Sequence, residues 1–176
     1  MRKVSIFGAT GSIGQNTIDL IKRAPEEYEV VALTGARNIE QLAADARALN
    51  AQIAVTADDS LLEDLRAALK GSGVIAAAGA DAILEAAHRP ADWIMSAIVG
   101  AAGLAPGMAA LGQGSTLALA NKESLVCAGK LLLETGRAQG AQILPVDSEH
   151  SAVFQALVGE DMNAVERIII TASGGA

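Results

Sequence analysis

The stretch that most limits what this chain can become is Gly8-Ala9-Thr10-Gly11-Ser12-Ile13-Gly14, because of what flanks it. Before it, Lys3 to Phe7 (KVSIF) is a β-branched and aromatic run that ends directly on Gly8. After it, Ile13, Thr17, Leu20 and Ile21 recur at helical spacing until Pro25 stops the pattern. A G-x-x-G-x-x-G loop that follows a strand and opens a helix is the context in which such a motif holds a dinucleotide. The first glycine permits the tight turn, the second lets backbone approach a pyrophosphate, and the third lets the helix pack close to the strand. Free N–H groups and the positive end of the helix dipole then face the phosphates. Thr10 and Ser12 add hydroxyl donors.

The remaining chain repeats the strand–helix alternation. Val30–Leu33, Ile53–Thr56, Val74–Ala77, Trp93–Val99, Thr116–Ala120, Ile143–Val146 and Arg167–Ala172 read as strands. Ile39, Leu42, Ala43, Ala46 and Leu49 mark one helical face, and Leu61, Leu62, Leu65 and Leu69 another, with Asp58 or Asp59 placed to cap it. Further helices are expected around Ile83–Ala87, within Gly100–Gly114 with Pro106 in the first turn, from Lys122 to about Gln139, and over Ser148–Leu157. Strands this uniformly apolar, joined through helices, predict a parallel sheet covered on both faces. The expected class is α/β, a doubly wound, mostly parallel Rossmann-like sheet over residues 1–145. Residues 146–176 then begin a second α/β catalytic domain. The glycines at 174 and 175, directly after a strand, lead us to expect a longer protein.

Composition narrows the partners. Hydrophobic residues make up 51% of the chain and aromatics 2%, so the core must be aliphatic. A net charge of −7 disfavours nucleic acid or an anionic membrane, which need a basic surface. No apolar run is long and uncharged enough to span a bilayer, and no signal peptide precedes the first strand. The single cysteine, Cys127, excludes an internal disulfide, fits a reducing, cytoplasmic setting, and reads as buried helix filler.

Three places carry the chemistry. Beyond the second strand, an NAD-selective site places an acid for the ribose 2′-hydroxyl. This chain instead has Thr34, Gly35, Ala36, Arg37 and Asn38, with no acid until Glu40, which favours NADP(H) and its 2′-phosphate. Asn121-Lys122-Glu123 lies at a strand-to-helix junction, on the sheet edge where open α/β folds bind ligands. Lys122 is a candidate anion or carbonyl contact there, and Asn121 and Glu123 could reach a cofactor. The alternative has Asn121 as an N-cap and Glu123 favouring the first helical turn. Finally, Ile143, Leu144 and Val146 lead into Asp147-Ser148-Glu149-His150, two carboxylates of the kind that hold Mg2+ or Mn2+.

GATGSIG, SAIVGAAGL, LANKESLV, LPVDSEHSA and the terminal ASGG, in this order, make the whole chain resemble the amino-terminal part of the 1-deoxy-D-xylulose 5-phosphate reductoisomerase family. The resemblance implies that Thr10, Gly11, Ser12 and Ile13 hold the NADPH pyrophosphate region. It puts Ala36, Arg37 and Asn38 near the 2′-phosphate, and Asn121 and Glu123 on the cofactor. Lys122, Ser148, Glu149 and Ser173 would touch a sugar-phosphate substrate, with Lys122 and Glu149 the catalytic pair. Asp147 and Glu149 would bind Mn2+ or Mg2+, with Co2+ an option, and His150 takes no ligand role. The resemblance further implies isomerisation of a metal-chelated ketose followed by hydride reduction from NADPH, in a homodimer. Family members continue with a further metal-binding glutamate, a histidine-bearing loop and a helical domain. Gly-Ala-Arg-Asn at 35–38 departs from the family's common Ala-Gly-Lys-Asn but keeps a basic residue.

Other readings of the glycine loop fare worse. A short-chain dehydrogenase needs Tyr-x-x-x-Lys, and the only tyrosine, Tyr28, is followed four residues later by Ala32. A semialdehyde dehydrogenase needs its cysteine in a strand-end loop, whereas Cys127 falls in a helix. A bare NADP-binding module without turnover stands as the non-enzyme alternative.

Overall fold

A computed structural model of the chain describes residues 1–170. The first half runs β1 (Arg2–Phe7), α1 (Ser12–Arg23), β2 (Tyr28–Gly35), α2 (Ile39–Ala48), β3 (Ile53–Thr56), α3 (Leu62–Leu69) and β4 (Ile75–Ala78). The second half continues with α4 (Ala80–Ala87), β5 (Trp93–Ser96), α5 (Leu104–Gly112), β6 (Thr116–Leu119), α6 (Lys122–Gln139), β7 (Ile143–Pro145) and α7 (Ser148–Leu157). The strands form one sheet in the order β4-β3-β2-β1-β5-β6-β7, and every pairing is parallel. Parallel neighbours require crossover connections, and here helices provide them. The order reverses between β1 and β5. That switch point opens a crevice at the carboxyl edge of the sheet.

Alternating strand residues feed two aliphatic layers. Val4 and Ile6 of β1 join Ile18, Leu42 and Leu65, so α1, α2 and α3 cover one face. Phe7 joins Ile83, Leu111 and Leu132, so α4, α5 and α6 cover the other. Full burial of each such side chain contributes about 1.5–3 kcal/mol before entropy is counted. Alanines at 43, 46, 86, 87 and 110 are almost fully buried, which lets these helices lie close to the sheet.

Four expectations need correction. The strand begun at Trp93 ends at Ser96 rather than Val99, because its neighbours β1 and β6 end opposite Ser96, at Phe7 and Leu119. Asp58 caps a short 3-10 turn, Asp59–Leu61, that precedes α3. Cys127 is exposed, since the buried stripe of α6 runs through Ser124, Leu132 and Gly136 and misses it. The expected last strand does not form over Arg167–Ile170; Ile169 is 76% exposed there, and among the described residues no strand pairs with it. Its residues 171 and 172, and Ser173, lie outside the described residues.

Candidate functional site

The glycine loop sits at the switch point and is held from three sides. Gly8 has φ +89°, and a Cβ there would stand 2.5 Å from the Ala97 carbonyl oxygen. Gly14 has no room either: a Cβ would overlap the Gly8 carbonyl and lie 2.6 Å from Ala9 Cα. Gly14 lets α1 dock on the glycine loop, and Gly8 lets that loop lie against Ala97 just beyond β5. From β2, the Thr34 hydroxyl accepts from Gly8 N–H at 3.1 Å, and the Thr34 carbonyl accepts from Ala9 N–H at 2.7 Å. Gly11 is the N-cap of α1, with no side-chain cap and no acidic residue in the first turn. The resulting N-terminus, with Ser12 and Ile13 in its first turn, carries free N–H groups and partial positive charge suited to an anion. Thr10, Gly11 and Ala36 line the adjoining crevice of about 580 Å³, opposite Ile98 and Pro106.

Ala36 and Ala57 also line a second hollow of about 560 Å³, completed by Arg37, Asp58, Asp59 and Ser60. The Arg37 guanidinium donates to Asp58 across 2.8 Å. The Ser60 hydroxyl and backbone N–H, with Arg37 assisting, hold the Asp58 carboxyl below the usual range. Asn38 caps α2, its side-chain oxygen accepting from Gln41 N–H at 3.1 Å. Arg37 is thus paired with an acid that follows β3, a contact with no local sequence signal.

At the end of β6, Asn121 is 3% exposed and nearly saturated. Its amide donates to the Ile98 and Gly100 carbonyls at 2.6 and 2.8 Å, and its oxygen accepts from Ser124 N–H at 3.1 Å. The side chain therefore caps α6 and clamps the 98–100 loop, one wall of the crevice. Glu123 is half-buried in the first turn of α6, and Lys122 is exposed.

Asp147, Ser148 and Glu149 gather where β7 gives way to α7, three strand spacings from β1, or roughly 14 Å. Burial works against ionisation of Asp147. The His150 backbone N–H at 3.0 Å and its ring Nδ1 at 2.7 Å outweigh that and lower its pKa. Glu149 is lowered first by its own backbone N–H, then by the Ser148 hydroxyl donating at 2.9 Å; Lys122 acts in the same direction and Asp147 against it. Two ionised carboxylates two residues apart suit a hard divalent cation. Among the described residues no group of three or more His, Cys, Asp or Glu gathers to complete such a site. The pair fits as part of a ligand set.

Sequence reasoning missed Thr34 and Gln15, which both fasten the glycine loop. Gln15 stands one helical turn after Gly11, and that spacing is the only signal it leaves.

A parallel sheet with a glycine loop at its switch point and an uncapped helix behind it defines the dinucleotide-binding α/β class. Residues 4–129 match the sequence profile described as 1-deoxy-D-xylulose 5-phosphate reductoisomerase, and residues 143–176 that of its C-terminal domain. The chain belongs to this family. It is 80% identical to the reductoisomerase of Jannaschia sp., over 99% of this chain and 44% of the relative. It is 77% identical to that of Ruegeria pomeroyi, over 100% and 45%. The reductoisomerase of Zymomonas mobilis in complex with NADPH superposes with a TM-score of 0.86, at 56% identity, covering 88% of this chain and 41% of that one. A reductoisomerase solved with NADPH, fosmidomycin and magnesium gives 0.83 at 39% identity, covering 88% and 38%. The chain spans less than half the length of the curated relatives it matches.

Proposed function

We propose that this chain is the NADPH-binding part, with the first metal- and substrate-binding residues, of an enzyme that converts 1-deoxy-D-xylulose 5-phosphate to 2-C-methyl-D-erythritol 4-phosphate. The observation that carries the reading is the uncapped α1 N-terminus at the switch point, with Arg37 beside the adjoining hollow. In this reading residues 1–145 bind the cofactor and residue 146 begins the catalytic domain. The N–H groups of Ser12 and Ile13 bind pyrophosphate, with the Gly11 backbone, whose own N–H is on the Gly8 carbonyl, and the Thr10 hydroxyl beside them. Ala36, Arg37 and Asn38 form the 2′-phosphate loop. Asn121 acts on the cofactor through the loop it clamps, and Glu123 lies at the same edge.

NADPH supplies the hydride when bound, and Mn2+, Mg2+ or Co2+ supplies Lewis acidity. Asp147 and Glu149 hold the cation as ionised oxygen donors, while His150 fixes the Asp147 carboxylate. Lys122, beside Glu149, meets the anionic substrate and steadies charge on its oxygens. Ser148 orients Glu149 and contacts substrate, and Ser173 is assigned to the substrate as well. The assembled enzyme is a cytoplasmic homodimer.

Two carboxylates are too few protein ligands for a working cation site, so the isolated 176 residues bind NADPH without turning over the sugar phosphate. Following NADPH absorbance with that substrate and Mn2+ tests this. No turnover by this chain, alongside turnover by the same chain extended to its relatives' length, is expected. Turnover by the 176 residues alone would refute the division of labour.

A further inference from the structure

Behind the glycine loop, on the side away from the crevice, lies a charge that the proposed chemistry leaves unused. Asp45 of α2 is 1% exposed, and three side-chain donors meet around it. Its Oδ2 accepts from Gln15 Nε2 at 2.7 Å and from Gln41 Nε2 at 2.8 Å, and its Oδ1 accepts from Lys22 Nζ at 2.8 Å. Gln41 Nε2 also reaches Gln15 Oε1 at 3.2 Å. An unpartnered carboxylate at this depth would cost several kcal/mol. Here every oxygen is satisfied, and the charge is balanced by Lys22.

Each glutamine in this cluster leads to a different cofactor loop. Gln15 Nε2 donates to the Ala9 carbonyl at 2.9 Å, inside the glycine loop. On the opposite side Ala9 N–H is held by Thr34, so the residue is held through both of its peptide groups. Gln41 has its backbone N–H on the Asn38 side chain, at the end of the 36–38 loop. Residues proposed to meet the pyrophosphate and the 2′-phosphate are therefore tied to one buried carboxylate.

We propose that Asp45 is a positioning residue that sets the two cofactor loops relative to each other, acting through Gln15 on the pyrophosphate loop and through Gln41 on the 2′-phosphate loop. Preorganised donors bind a dinucleotide without the cost of ordering them at each encounter. The inference rests on the NADPH reading above.

The test uses the 15N-labelled 176-residue chain, titrated with NADPH and separately with adenosine 2′-phosphate, which lacks the pyrophosphate. Gln15→Ala is expected to weaken NADPH about tenfold while leaving adenosine 2′-phosphate within about twofold. Asp45→Asn is expected to weaken both ligands. Titrations are run where circular dichroism shows each variant folded, because a merely structural role lowers the melting temperature and leaves these dissociation constants alone. Parent-like NADPH affinity in Asp45→Asn overturns the proposal. Should that variant not fold, parent-like affinity in Gln15→Ala does so. A parent chain that binds neither ligand removes the cofactor reading and this inference with it.

Discussion

Replacing Gly14 by alanine sets two effects of opposite sign against each other. In an ordinary helix interior the change stabilises by about 1 kcal/mol, because glycine is the poorer helix former. At Gly14 the added Cβ would meet backbone: the Gly8 carbonyl, and Ala9 Cα and carbonyl oxygen, both at 2.6 Å. Neither neighbour can rotate away. The start of α1 must withdraw by roughly an ångström to reach ordinary contact, and overpacking of this kind costs about 1–3 kcal/mol. The clash therefore wins or cancels the gain, and the melting temperature falls by up to about 8 °C for a chain of this size. The same withdrawal moves the N–H groups meant for the pyrophosphate, so NADPH affinity falls by about tenfold or more. Gly107→Ala in α5 is the matched control, since outside its own helix its Cβ would meet nothing nearer than Leu117 Cδ2 at 3.7 Å, an ordinary contact. Thermal melts and NADPH titrations of both variants decide the matter. If Gly14→Ala is stabilised like Gly107→Ala and binds NADPH as the parent does, the close packing of loop and helix is not what this glycine serves.

Asn121→Ala removes a helix cap and leaves the Ile98 and Gly100 carbonyls without their donor, so urea unfolding should show a loss of about 2–4 kcal/mol. Asp147→Asn keeps a good N-cap but removes the negative charge, and Asp147→Ala removes both. Electron paramagnetic resonance should show weaker Mn2+ binding in each variant, with the melting temperature lowered appreciably only by alanine. Asp45 ionises more readily in the fold: although burial opposes its charge, the bonds from Gln15, Gln41 and Lys22 prevail. A depressed folded-state pKa stabilises above the unfolded value, about 3.9, and that contribution is lost as pH falls through the folded value. The stability gap between parent and Asp45→Asn should accordingly be full at neutral pH and close below about pH 4, as urea unfolding at stepped pH would register.

The strands and helices that build the sheet were legible because their signals are local. Ile53–Thr56 and Ser148–Leu157 fall on the bounds read from the sequence. Signals failed where the deciding partner is remote in sequence. The isoleucines after Arg167 have every local property of a strand, but a strand also needs a neighbour. Cys127 sits in an apolar run, and only the seating of α6 on the sheet decides which side of that run is buried. At the site, the glycines, Asn121 and Asp147 announced themselves by type and spacing. Asp58 did not, because its link to Arg37 joins the ends of two different strands. Nor did Asp45, whose partners Gln15 and Lys22 lie on another helix.

The most direct test of the central claim is calorimetric titration of the 176-residue chain with NADPH and NADH, repeated with Arg37→Ala. The parent is expected to bind NADPH more tightly than NADH, and the substitution to narrow the gap by weakening NADPH alone. Equal affinities in the parent, or an unchanged ratio in Arg37→Ala, would contradict that claim.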